Sequence, residues 1–157
     1  MDQTDMRILQ ELQRDGRMSF VELAERVNLS KTPCIARVRR LERDGVIRGY
    51  GARLDPGELG RGYVAFVEVK LDATTEDVLS RFNAAVHEVR EIQSCHMVAG
   101  GFDYLLKVRA RDMAEYRRLL GAEIAALPGV LQTSTYPAME EVKDSLEVNL
   151  DVRPETT

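Results

Sequence analysis

The chain has 157 residues, 44% hydrophobic and 31% charged, a balance that belongs to one or two compact globular domains rather than to a disordered or fibrous protein. No run approaches the roughly 18 apolar residues of a membrane span, and the opening MDQTDMRILQ is acidic and periodic rather than signal-like, so a cytoplasmic protein is expected. The net charge of −4 argues mildly against nucleic acid until its distribution is considered: residues 1–55 carry 11 basic and 9 acidic side chains, residues 56–157 carry 11 and 17.

The elements in chain order begin with a helix capped by Asp2 or Thr4, with Met6, Leu9 and Leu12 at helical spacing and Asp15-Gly16 as its stop. Ser19 and Glu22 form a capping-box pattern ahead of a second helix whose apolar face is Phe20, Leu23, Ala24 and Val27. A turn near Asn28 follows, and Ser30 caps a third helix in which Pro33 is tolerated in the first turn. At about 100° per residue, Cys34, Ile35, Val38, Leu41 and Glu42 gather on one side of this helix, and Thr32, Pro33, Ala36, Arg37, Arg40 and Arg43 on the other. Lys31 to Arg48 holds six basic residues against Glu42 and Asp44, the local excess a phosphate backbone attracts. Two short helices joined by a tight turn, the second with a small, hydroxyl-bearing and arginine-rich outer face, form a helix-turn-helix pattern. Val46 to Leu54 reads as a wing or linker strand, closed by Asp55-Pro56-Gly57, which makes residues 1–55 one domain and 56–61 a linker.

Beyond the linker the periodicity changes. Gly62 to Leu71 is β-rich, and Thr74 to Val89 places Val78, Phe82, Ala85, Val86 and Val89 on one helical stripe. Ile92 to Ala99 and Phe102 to Val108 flank Gly100-Gly101, whose access to positive φ suits a tight hairpin. Asp112 with Glu115 opens a helix carrying Met113, Tyr116, Leu120, Ile124 and Leu127, which Pro128-Gly129 ends before a strand over residues 130–142. The order β-α-β-β-α-β over residues 62–145 is the ferredoxin-like pattern: an antiparallel sheet with both helices on one face. The whole chain is then α+β, a winged helix-turn-helix followed by a ferredoxin-like domain. Residues 63–69 are apolar at nearly every position, so the other sheet face calls for a partner and oligomerisation is expected.

The segments DQTDMRILQELQRDGRMS, VNLSKTPCIARVRRLERDGVIRGYGARLDP, CHMVAGGFDYLLKVRARDMAEYRRLL and LPGVLQTSTYPAMEEVKDS resemble the Lrp/AsnC (feast/famine) family of transcription regulators, and within it the leucine-responsive branch. The resemblance covers nearly everything through Ser145. It implies a sequence-specific DNA-binding regulator of amino-acid metabolism that answers to an amino-acid effector, is associated with the nucleoid, and forms a homodimer able to assemble to an octamer. Ser30, Lys31, Thr32, Pro33, Arg37, Arg40 and Arg43 are expected to face double-stranded DNA. By the same resemblance the effector region comprises Met97, Gly100, Gly101, Asp103, Tyr104, Met113, Thr135, Tyr136 and Ala138, at contacts between C-terminal domains. Two departures matter. Pro137 stands where relatives usually carry an aliphatic residue, and its missing N–H implies an edge strand or a bulge. Gly101 stands where the leucine-responsive type often has an acid, so leucine, another branched-chain amino acid and proline all remain candidate effectors. Residues 146–157 have no clear counterpart and are expected to form a loosely ordered tail.

Catalysis is not expected. Cys95-His96 has no second pair at ligand spacing, so no metal site is assigned, and Cys34 and Cys95 are expected as reduced thiols. Glu140 and Glu141 are adjacent on an expected strand and point to opposite faces, so they cannot act as a general acid–base pair. No cofactor loop is present. The rival to an effector-responsive regulator is a low-specificity, nucleoid-like architectural DNA-binding protein without an effector.

Overall fold

A computed structural model describes residues 1–150 of the chain. It divides into two units, Met1–Arg53 together with residues 145–150, and Leu54–Asp144. No helix among the described residues is long and apolar enough to cross a membrane.

The first unit consists of helices α1 (Gln3–Arg14), α2 (Phe20–Arg26) and α3 (Lys31–Arg43). Asp2 rather than Thr4 caps α1: its carboxylate accepts the Asp5 N–H at 2.8 Å while Asp5 accepts the Asp2 N–H at 3.0 Å, a reciprocal box. The Ser19 box forms only in part, because the Ser19 hydroxyl accepts from Glu22 N–H at 3.2 Å but the Glu22 carboxylate is taken by Arg26 at 2.7 Å. Ile8, Leu23, Ala24, Val27, Cys34, Val38 and Leu41 form the core. Ile8 holds the buried place on α1, with Leu9 and Leu12 half-buried beside it, and Phe20 is exposed rather than buried. The wing segment after Gly45 forms no strand, since a strand needs a ladder of backbone hydrogen bonds and none joins residues 48–54 to another segment among the described residues. Tyr50 anchors it instead, through a 2.9 Å hydrogen bond to Glu42; burial and that bond push its phenol up to about 12. Part of the expected tail is engaged here: Val148 exchanges both backbone hydrogen bonds with the Gln13 amide, and Glu147 pairs with Arg53. Residues 151–157 of that tail lie outside the described residues.

The second unit contains β1 (Tyr63–Leu71), α4 (Glu76–Val86), β2 (Ile92–Met97), β3 (Tyr104–Ala110), α5 (Met113–Leu119) and β4 (Val130–Pro137). The antiparallel sheet has the order β2-β3-β1-β4, the ferredoxin-like arrangement. Alternation along the strands sends Ala65, Val67, Val69 and Leu71 of β1, and Tyr104, Leu106, Val108 and Ala110 of β3, into one core with Phe82 and Val86 of α4 and Tyr116 and Leu119 of α5. Both helices therefore cover one face, and Val64, Phe66, Glu68, Leu105 and Lys107 lie on the other. Three expectations need correction. Helix α5 widens into a π turn over Leu120–Ile124, where Gly121 weakens the α-helical repeat, instead of running on as α-helix. The last strand stops at Pro137, which lacks an N–H and lies on an edge strand. The β2–β3 connection is a six-residue loop, closed by Val98 N–H to Asp103 C=O at 3.0 Å; this length reverses the chain without positive φ, and neither Gly100 nor Gly101 adopts it.

Candidate DNA-binding and effector sites

Helix α3 is set against α2 by a tight turn. Asn28 takes the left-handed conformation at φ 55, and Leu29 N–H returns to Ala24 C=O at 2.9 Å. With Cys34, Val38 and Leu41 inward, the helical repeat sets Thr32, Ala36, Arg39 and Arg43 on the face diametrically outward, and all four are exposed. Arg39 is absent from the expected contacts, although its spacing from Thr32, Ala36 and Arg43 could have shown it. Ser30 and Lys31 are exposed at the helix start. The Ser30 hydroxyl makes no cap bond, so the Lys31 and Thr32 N–H groups meet no acceptor among the described residues. A helix N-terminus left open in this way suits a phosphate.

Arg37 and Arg40 lie elsewhere, on the flank of α3 that meets the start of α1. Arg37 Nη1 stands 2.6 Å from Asp2 Oδ2 and 2.8 Å from Asp5 Oδ1, and Arg40 Nη2 stands 2.6 Å from Asp5 Oδ2. Asp5 is 1% exposed and is the one buried charged residue among those described. Burial pushes its carboxyl up, but the Asp2 N–H and the Arg37 guanidinium outweigh that, and it is held below the usual carboxylate range. The Asp2 carboxyl is lowered as well, first by the Asp5 N–H and then by Arg37. Arg43 has only an exposed 3.4 Å contact with neighbouring Asp44, a geometry that contributes little.

The expected effector residues fall into three places. Met97, Gly100, Gly101 and Asp103 surround the β2–β3 loop. Here the N–H groups of Ala99, Gly100, Gly101 and Phe102 have no acceptor among the described residues, and space is open where a Cβ on either glycine would project. Asp103 also braces the fold, since its Oδ2 accepts Leu71 N–H at 2.7 Å and its own N–H donates to Val69 C=O, which bridges the irregular end of β1. Its Oδ1 has no hydrogen bond among the described residues. Tyr104 belongs to the core, 2% exposed with its ring 4.4 Å from Phe82, and its hydroxyl lacks a hydrogen bond of good geometry. Met113, Thr135, Tyr136 and Ala138 extend from the middle of the sheet, where Thr135 and Tyr136 stand opposite Val67 and Phe66, toward its other end. Tyr63 hydroxyl reaches Met113 sulfur at 3.3 Å, Thr135 bonds Tyr116 at 2.6 Å, Tyr136 donates to Glu68 on the helix-free side, and Ala138 N–H donates to Val64 C=O. Val69, beside the loop, and Val64, beside Ala138, are five residues apart on β1, roughly 16 Å at the rise of a strand. One chain does not bring Ala138 to the loop.

A helix-turn-helix with an outward basic stripe, on the same chain as a ferredoxin-like domain, has the build of a DNA-binding regulator with a second, separate domain. Residues 1–48 match a winged helix-turn-helix DNA-binding domain, and residues 64–148 match the Lrp/AsnC ligand binding domain. The chain is 54% identical over 153 residues to the leucine-responsive regulatory protein of Salmonella typhimurium, covering 98% of this chain and 93% of that protein. Among solved structures it resembles an AsnC family transcriptional regulator from Agrobacterium tumefaciens, with TM-score 0.91, 36% identity, and 96% and 98% of the two chains covered. It also resembles a transcriptional regulator from Neisseria meningitidis solved in complex with L-methionine, with TM-score 0.89, 34% identity, and 96% and 97% covered. The chain belongs to the Lrp/AsnC family of transcriptional regulators, and it is not an enzyme.

Proposed function

We propose that this regulator binds an apolar L-amino acid at the β2–β3 loop and does so as a dimer or higher assembly, whose second copy completes the site. The observation that carries the reading is the row of unused N–H groups from Ala99 to Phe102 beside the Asp103 carboxylate. The N–H row suits the effector's carboxylate, and Asp103 Oδ1 suits its ammonium; both charges must be paired if the ligand is enclosed. Met97, Met113 and Tyr136, all exposed in the single chain, supply the adaptable surface for an apolar side chain once a second copy brings the far group alongside the loop. The candidates are leucine, a further branched-chain residue, proline, and methionine, the last supported by the Neisseria relative's ligand. Self-association is proposed through the helix-free sheet face, where Phe66 is 37% exposed beside Val64 and Leu105. The wing and the outward stripe Thr32, Ala36, Arg39 and Arg43, with Ser30 and Lys31 at the helix start, form the proposed DNA contact in the cytoplasm and on the nucleoid. An effector that prefers one assembly shifts the population toward it, and by linkage DNA must alter effector affinity in return.

Titration calorimetry of the full chain with leucine, isoleucine, proline and methionine tests the site. Binding of at least one, together with a changed operator affinity in its presence, is expected. Asp103→Asn is the informative variant, because an amide oxygen can still accept Leu71 N–H while the charge is lost. Its amino-acid affinity should fall at least tenfold with operator binding retained; full affinity would place the ligand elsewhere. Sedimentation at tens of micromolar should show no monomer, and a monomer would remove the second copy from the proposal.

A further inference from the structure

We propose that Asp2 and Asp5 are built-in counter-ions of the recognition helix: they withdraw Arg37 and Arg40 from the set of phosphate-binding cations, so that non-specific attraction to DNA is held down and Lys31, Arg39 and Arg43 make the contact. The inference rests on the DNA-binding reading of α3 and adds a division of labour among its arginines.

The geometry is specific. Asp5 is buried at the first turn of α1, and its two oxygens are divided, Oδ1 to Arg37 and Oδ2 to Arg40, with Oδ2 also accepting the Asp2 N–H. Asp2, at the cap, adds a second carboxylate to Arg37. The four side chains together carry no net charge. Arg37 is only 29% exposed, whereas Arg43 is 73% exposed. Were Arg37 and Arg40 both to turn from Asp5 to phosphate, a carboxylate with 1% exposure would be left without a cation. Lys31 and Arg39 meet no carboxylate at ion-pair distance among the described residues, so their charge is available to DNA without such a cost.

The arrangement bears on specificity. Each additional cation on a phosphate strengthens binding to every DNA sequence alike, so removing two from the contact lowers the non-specific background against which an operator is distinguished. The carboxylates also fix where the two guanidiniums sit, which makes Asp5 a positioning residue for the flank of α3.

The test is the salt dependence of binding to a random-sequence duplex, measured by fluorescence anisotropy on the full chain from low to moderate KCl. Asp2→Asn keeps a side chain able to cap α1 and removes one of the carboxylates on Arg37; Asp5→Asn removes the shared one. In the double variant the slope of log affinity against log salt should steepen by about 1 to 2 per recognition helix engaged, and non-specific affinity at low salt should rise severalfold. Arg37→Gln in the otherwise unchanged chain should leave the slope as it is, while the same change added to Asp2→Asn/Asp5→Asn should reduce the steepened slope by about 1. Arg39→Gln should flatten the slope in either background. An unchanged slope in the double variant, or a flattened slope on Arg37→Gln alone, would overturn the inference, because Arg37 would then stay off phosphate without the acids or already sit on it despite them. Thermal melts of each variant confirm folding at the assay temperature. If the unsubstituted chain binds no duplex at all, the DNA-binding reading itself fails, an outcome distinct from a slope that does not move.

Discussion

Among the described residues the DNA-binding unit buries seven side chains in its core, where the ligand-binding unit buries fifteen, and the two make up the difference in different ways. In the smaller unit a buried carboxylate, Asp5, ties the start of α1 to α3 through two arginines. In the larger unit the space between sheet and helices is filled by Val67, Phe82, Tyr104, Leu106 and Ile124, and the ion pairs of Lys107 and Arg109 with Glu141 lie outside that core, on the helix-free face of the sheet. A small core leaves little apolar area to stabilise three helices, so a charge pair between the first and the last carries more of the load. The same pair sits on the functional helix. Stability and DNA contact are therefore linked in the first unit, while in the second the core can change with little direct effect on the exposed loop.

The largest effect expected tests the apolar side of this comparison. Leu106 has no exposed surface and sits mid-sheet between Val67 and Cys95. Leu106→Ala should cost about 2–5 kcal/mol by lost burial and a residual cavity. Urea denaturation with hydrogen exchange should show the loss confined to the ligand-binding unit, with α1 to α3 amides keeping their protection.

Next in size is Asp5→Asn, expected to cost the DNA-binding unit about 1–3 kcal/mol at neutral pH, since a charge-assisted network is broken while Arg40 falls back on water and Arg37 keeps only Asp2. The pH dependence has a defined sign. Asp2 and Asp5 are both lowered below the usual 3.8, so their contribution is complete above that value and is lost as pH falls through their folded values. Urea midpoints of the DNA-binding unit should drop below about pH 4, and the drop should be smaller in Asp5→Asn. Equal acid sensitivity in both proteins would show that the network adds nothing to stability.

The contrast between the two units also explains what could be read from the sequence. Periodicity sufficed for the apolar stripes: Val78, Phe82, Val86 and Val89 of the α4 region, and the alternation in β1 and β3, announce the ferredoxin-like unit because burial there is repetitive. Asp5 could not be found in that way, as a buried acid breaks the apolar pattern of α1 and its partners lie 32 and 35 residues on. Arg37 and Arg40 counted as outward because a helical wheel divides only two faces, whereas the flank toward α1 is a third environment. The family resemblance supplied the effector set, but it could not separate Tyr104, turned into the core by strand alternation, from its neighbour Asp103. The wing needed a pairing partner that the described chain does not contain.

A smaller effect is expected on the DNA face. Arg39→Ala should weaken operator binding by about 1–3 kcal/mol if Arg39 reads a base, at one operator position only; on phosphate the loss is uniform and the salt slope falls by about 1. Arg40→Ala, held by Asp5, should lower operator affinity less than Arg39→Ala and lower stability more. A footprinting titration of the two variants, paired with their melts, separates the roles. The reverse ranking would return Arg40 to the DNA contact.

The smallest expected effect separates the two cap serines. Ser19 and Ser30 both stand at helix starts with extended backbone, at ψ 151 and 157, and a propensity scale treats them alike. Only Ser19 uses its hydroxyl as a cap, on Glu22 N–H. Ser19→Ala should therefore cost about 1 kcal/mol, the usual value for a lost N-cap. Ser30→Ala removes no hydrogen bond from the folded chain, so its cost should stay within roughly 0.5 kcal/mol, the range of ordinary surface substitutions. If the open start of α3 receives a phosphate, the Ser30 hydroxyl and the Lys31 and Thr32 N–H groups act on it together, and Ser30→Ala should weaken DNA binding severalfold at nearly constant stability. Ser19→Ala should do the opposite, lowering the melting temperature with little change in affinity for DNA. Parallel melts and anisotropy titrations decide between them: if Ser30→Ala loses stability to the same extent as Ser19→Ala, then its hydroxyl is an ordinary cap and the start of α3 is not open to a phosphate.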